Sequence, residues 1–163
     1  MIILGLDPGT ATTGYGLIKK DGSDMTCLEF GCVTTRPGLD DATRLRMIRE
    51  KLARIIKKYK PGLASVEKIF FTTNAKTVIS VAQARGVALE VIASSNIPIL
   101  EFTPLQIKQA VTSYGMADKS QVQKMVKILL ALPEPPKPAD PADALAAAIC
   151  AATTYATGSG LTI

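Results

Sequence analysis

The sequence predicts an α/β fold: one five-stranded mixed sheet flanked by helices. Three observations lead there. Three apolar runs follow one another at the amino-terminal end with short, glycine-rich connections, the pattern of an antiparallel meander. Beyond residue 40 the apolar spacing lengthens from alternation to a helical period. Short apolar runs then alternate with long helical stretches, and a helix crossing between two strands is what parallel pairing requires.

Taken in order, Ile2–Leu6 reads as the first strand and Tyr15–Lys19 as the second, with the glycines and threonines between them forming the turn. Lys20-Asp21-Gly22-Ser23 signals another turn, and Met25–Thr34 carries the third strand. Leu45, Ile48, Leu52, Ile55, Ile56 and Tyr59 then fall on one helical face, and Pro61-Gly62 stops that helix. Leu63–Lys68 is the fourth strand. Asn74–Ser94 is a helix apolar on more than one face, which predicts burial within the domain or against another subunit. Gly86 inside it costs about 1 kcal/mol relative to alanine, which predicts close packing at that point. Ile97–Phe102 is the fifth strand. Thr103-Pro104-Leu105-Gln106 and Asp118-Lys119-Ser120-Gln121 each have the capping pattern of a helix start. A proline-rich stretch, 133–138, ends the second of these helices. The last helix begins near Asp140-Pro141 and runs to about Ala156, so a single domain is expected over residues 1–157, with a tail at 158–163.

Composition narrows the chemistry. At 163 residues and 47% hydrophobic content the chain can bury one core. No run of about 20 apolar residues is available to span a bilayer, and no secretory leader is visible, so a soluble, cytoplasmic protein is expected with no membrane partner. Histidine is absent, which removes imidazole bases, imidazole metal ligands and serine or cysteine triads. Cys27, Cys32 and Cys150 are odd in number and form no C-x-x-C pair, which argues against a disulfide framework and a zinc site. Hydrolysis in such a chain runs on carboxylates, lysines or oxygen-held metal. The net charge of +5 is compatible with a polyanionic partner without establishing one.

Four acids stand where they can converge. Asp7 ends the first strand and Glu67 the fourth; if these lie parallel, both acids share one sheet edge, where ligand sites in such sheets collect. Asp140 and Asp143, three apart at the start of the last helix, can project from one face. Each has an ordinary reading as well: turn chemistry for Asp7, a solvated strand end for Glu67, an N-cap for Asp140 and a first-turn acid for Asp143. Together they would repel one another, and a divalent cation removes that conflict. Oxygen-only ligands point to Mg²⁺ or Mn²⁺, and a pair of such ions can promote phosphodiester hydrolysis.

The segments GLDPGTATTGYG, SVEKIFF, AQARGV, DKSQVQKMV and DPADALAAAI, in this order, resemble the RuvC family of Holliday-junction resolvases across nearly the whole chain. The resemblance implies a ribonuclease-H-like fold, a homodimer, and symmetric Mg²⁺-dependent nicking at a four-way DNA junction with two ions per site. It also implies 5′-phosphate and 3′-hydroxyl ends, and a branch-migration complex of the RuvA and RuvB type as partner. By position, Asp7, Glu67, Asp140 and Asp143 match the family's catalytic, metal-holding acids. Phe70 matches an aromatic that stacks on a base near the crossover, and Lys108 and Lys119 match lysines near the DNA backbone. Read from the residues alone, Phe70-Phe71 suits a core position and Lys119 an ordinary solvated lysine. Lys119 nevertheless sits in a helix's first turn, where the dipole favours an anion. The basic face from Arg44 to Lys58 reads as mostly solvated, with DNA backbone contact open. Three other readings stand beside this one: a YqgF-type RNA-processing nuclease sharing the first hairpin, an actin-like ATPase domain, and a DNA-binding protein without activity.

Overall fold

The structure, a computed structural model, describes residues 1–69 and 75–156. Five strands form one mixed sheet: β1 (Ile2–Asp7), β2 (Thr12–Asp21), β3 (Asp24–Thr34), β4 (Leu63–Glu67) and β5 (Ile99–Phe102). Their spatial order is β3-β2-β1-β4-β5. The first three pair antiparallel, and β1 pairs parallel with β4, which pairs parallel with β5. Five helices cover it: α1 (Asp41–Tyr59), α2 (Ala75–Ser94), α3 (Pro104–Thr112), α4 (Lys119–Leu129) and α5 (Ala139–Ala156). Among the described residues no helix is long and apolar enough to cross a membrane.

The sheet separates two cores. On one face Leu4, Leu6, Leu17, Ala64 and Val66 pack with Ile48, Leu52, Ala88 and Ile92 of α1 and α2. On the other, Ile3, Ile18 and Leu63 meet α3, α4 and the alanine-rich α5, whose residues from Ala144 to Ala152 are all buried. Alternation along the strands explains the division, since successive side chains point to opposite faces.

The expected element order holds, and the local differences have causes. β2 starts at Thr12, so Gly14 belongs to the ladder opposite Asp7 and not to a turn. A Cβ at Gly14 would collide with the backbone carbonyl of Asp140, and one at Gly5 with that of Ala144. These glycines let α5 settle directly on β1 and β2. The close packing expected at Gly86 is absent among the described residues: a Cβ there would meet none of their atoms within 4 Å. α5 starts at Ala139, so Asp140 is not an N-cap; it lies within the first turn, and Asp143 lies in the second. The caps expected at Thr103 and Asp118 are present, each completed by a glutamine three residues on. Phe70 and the tail at 158–163 lie outside the described residues.

Candidate active site

The site lies at one edge of the sheet. Leu6 is in register with Val66, so the next residues, Asp7 and Glu67, end adjacent parallel strands side by side. Lys68 N–H donates to the Phe102 carbonyl at 2.8 Å, extending the β4–β5 pairing past Glu67. From α2, Arg85 Nε donates to the Glu67 carbonyl at 3.2 Å while its guanidinium pairs with Glu101 of β5. The end of β4 is thus tied on two sides. The hairpin after Asp7 is tied as well: Thr13 Oγ1 donates to the Gly9 carbonyl at 2.7 Å, and Ser80 Oγ of α2 donates to Thr10 Oγ1 at 2.7 Å.

Asp143 reaches the site because α5 lies on the glycine floor of β1 and β2. Asp7, Glu67 and Asp143 line one cavity of about 280 Å³, together with Lys108 of α3, Lys119 of α4 and an apolar wall that includes Pro104, Ile107 and Val122. Lys119 Nζ stands 3.5 Å from Asp143 Oδ2. Asp140 does not line the cavity. One turn earlier on α5, it still acts electrostatically on both Asp7 and Asp143.

The carboxylates disturb one another as crowded acids should. The Asp7 carboxyl is pushed up to about 7, by burial first and then by the charges of Glu67, Asp143 and Asp140, against the opposing pull of Lys119. Burial and Asp143 raise Glu67; burial raises Asp143, with Lys119 opposing it and Asp140 adding to it. This is an incompletely neutralised anionic pocket.

Among the described residues no three acid, cysteine or histidine side chains close into a ready-made cage. The donor set nevertheless suits a hard divalent ion, which keeps several waters and takes only one or two carboxylates directly. A cavity of this size has room for an ion with its waters and for a phosphate near the two lysines. The raised proton affinities mark where positive charge is missing.

Of the residues singled out from sequence, Asp7, Glu67, Asp143, Lys108 and Lys119 therefore meet in one cavity, and Asp140 stands beside it. Arg85 was not singled out for any role, although it stands inside the AQARGV segment; its contact with Glu67 joins residues 18 apart in sequence.

The profile of the family described as Crossover junction endodeoxyribonuclease RuvC matches residues 3–151. The RuvC of Desulforamulus reducens is 52% identical over 160 residues, covering 98% of each chain. That of Pelotomaculum thermopropionicum is 51% identical over 155 residues, covering 95% of this chain and 94% of its own. The structure of Thermus thermophilus RuvC in complex with Holliday junction substrate superposes with a TM-score of 0.91 at 30% identity, covering 97% of this chain and 96% of that one. The ribonuclease-H-like sheet and its helices are shared with it, and from residue 3 to residue 151 the chain belongs to the RuvC family of crossover junction endodeoxyribonucleases.

Proposed function

We propose that this chain resolves four-way DNA junctions in recombination and repair, nicking two strands symmetrically and leaving 5′-phosphate and 3′-hydroxyl ends. The observation that carries the reading is the cavity in which Asp7, Glu67 and Asp143 face Lys108 and Lys119, in a chain of this family. The likeness to the Thermus protein solved with its junction supports the substrate.

Asp7, Glu67, Asp140 and Asp143 would hold Mg²⁺, with Mn²⁺ as a substitute and two ions per site. Bound there, the ions would supply Lewis-acid activation of water and charge neutralisation on the scissile phosphate. The chain's own part is placement. β1 and β4 fix Asp7 and Glu67 on the stiffest part of the fold, and α5 brings Asp143 opposite them. Lys119, at the first turn of α4, and Lys108 engage the phosphates flanking the cut, with the amino-terminal end of α4 adding its partial positive charge. Phe70 stacks on a base at the crossover.

Symmetric cutting needs two sites, and a homodimer provides them. Its support is the outer face of α2, where Ile79 is 62% exposed and a Cβ on Gly86 would meet nothing within 4 Å among the described residues. A helix this apolar with an outward glycine suits close contact with a second copy of itself. A branch-migration complex of the RuvA and RuvB type is the proposed partner.

The test is cleavage of a synthetic junction with Mg²⁺ and with chelator, for the unaltered chain and for Asp7→Asn. Cleavage is expected only with metal and only in the unaltered chain, with junction binding kept in the variant. Metal-independent nicking, or preferential cutting of structured RNA, would reject the assignment.

A further inference from the structure

α1 is strongly basic, and one flank of it borders a groove that the nuclease reading has not used. The groove, about 350 Å³ in volume, runs between α1 and the end of β3 and is lined by Cys32, Val33 and Thr34 on one side and by Met47, Glu50, Lys51 and Arg54 on the other. Lys51 and Arg54 are three residues apart and so share one helix face. Both are exposed, and neither makes an ion pair or a side-chain hydrogen bond among the described residues. The cations before and after them on that flank are engaged: Arg44 Nε donates to Thr35 Oγ1 at 2.8 Å, and Lys58 Nζ to Glu29 at 2.8 Å. Two unneutralised cations therefore sit in mid-groove against one carboxylate, Glu50.

The position of this groove relative to the cut is set by the sheet. Asp7 is in register with Gly14, and Gly14 with Cys32. Two strand spacings separate them, about 10 Å. The groove's cations stand on α1, a packed layer of about 10 Å beyond the opposite face of the sheet, which brings the path from the cavity to about 20 Å. A nucleic-acid strand advances about 3.4 Å per nucleotide, so a backbone rounding the hairpin edge meets the groove about six nucleotides from the scissile phosphate. The groove is also rigidly coupled to the catalytic hairpin. Thr35 Oγ1, which accepts from Arg44, donates to the Thr10 carbonyl at 2.7 Å, and Thr35 N–H donates to the Ala11 carbonyl at 3.0 Å.

We propose that the β3–α1 groove, through Lys51 and Arg54, holds the DNA phosphate backbone of a junction arm beyond the cut, as a contact separate from the carboxylate cavity. The inference rests on the junction-resolving reading and extends its substrate contact to the opposite face of the sheet. An acidic peptide added to the outer edge of β3 is the competing ligand. It would need pockets for alternate side chains, and here the neighbouring Val33 is already buried in the core. Phosphates need only the cations.

The experiment uses the double variant Lys51→Gln/Arg54→Gln. Neither side chain holds the fold, so its binding can be compared directly with that of the unaltered protein. Binding is measured in chelator, across salt concentrations, on junctions carrying a single uncharged methylphosphonate walked outward from the crossover. The double variant should lose affinity, and its salt slope should be shallower by about 1.8. Neutralising a phosphate about six nucleotides from the cut should weaken the unaltered protein several-fold and leave the variant unaffected. An unchanged salt slope, or equal methylphosphonate penalties in both proteins at every position, would overturn the proposal and leave the groove to an acidic protein segment. Metal-dependent nicking by the unaltered chain is scored separately, so failure of the groove and failure of the nuclease reading give different results.

Discussion

Asp7 shows most directly how a single residue ties stability to chemistry. Its ordinary value of 3.8 rises to about 7 in the folded chain. The folded state therefore holds a proton that the unfolded state releases across that window, and metal-free stability falls as pH rises from about 4 to about 7. Glu67 and Asp143 are shifted in the same direction. The loss attached to Asp7 is at most about 4 kcal/mol. Asp7→Asn should remove it: in chelator at pH 8 the variant should melt above the unaltered protein, and the difference should vanish near pH 4. Equal melting at both pH values would show that the carboxylates do not strain the fold. Sequence made this residue legible because an acid ending an apolar strand is conspicuous. Asp140 was less legible, since an acid before proline also reads as a cap, and only the helix start at Ala139 separates the two readings.

Among the elements, α5 decides whether a site exists. Its buried alanines keep it thin, and Gly5 and Gly14 let its backbone descend onto the strands. Gly5→Ala would place a methyl against the Ala144 carbonyl without altering any of the acids. Overpacking of this kind costs about 1–3 kcal/mol. We expect a lowered urea midpoint and, because α5 is lifted, cleavage that needs more metal for the same rate. Full activity at unchanged metal dependence would mean that the helix height is not critical. Gly5 reads as an ordinary strand residue and Gly14 as a turn residue, because glycine carries the same letter whether it serves backbone conformation or close approach. Only the partner helix, more than 120 residues later, tells them apart. The strand and helix order, by contrast, was legible from local period alone. The ties from Arg85 to Glu67 and from Ser80 to Thr10 were not, because they join residues 18 and 70 apart.

For the whole molecule, the two faces of the sheet divide the work. One side, with α3, α4 and α5, walls the carboxylate cavity; the other, with α1 and α2, carries the exposed Ile79 and the basic flank of α1. α2 connects them, holding Glu67 through Arg85 and the hairpin through Ser80 while presenting Ile79 outward. Ile79→Glu should yield a monomer by sedimentation with its secondary structure intact, and a persistent dimer would move the interface elsewhere. The sequence did indicate an unusually apolar α2. It placed Gly86 in a packed setting, and the described residues leave that setting unfilled.

The seating of α5 on β1 and β2 also joins distant stretches of sequence. Asp7 and Asp143, 136 positions apart, line one cavity only while that contact holds. A protease cut that let α5 peel away would leave Asp7 and Glu67 side by side at their strand ends and carry the third carboxylate off with the helix.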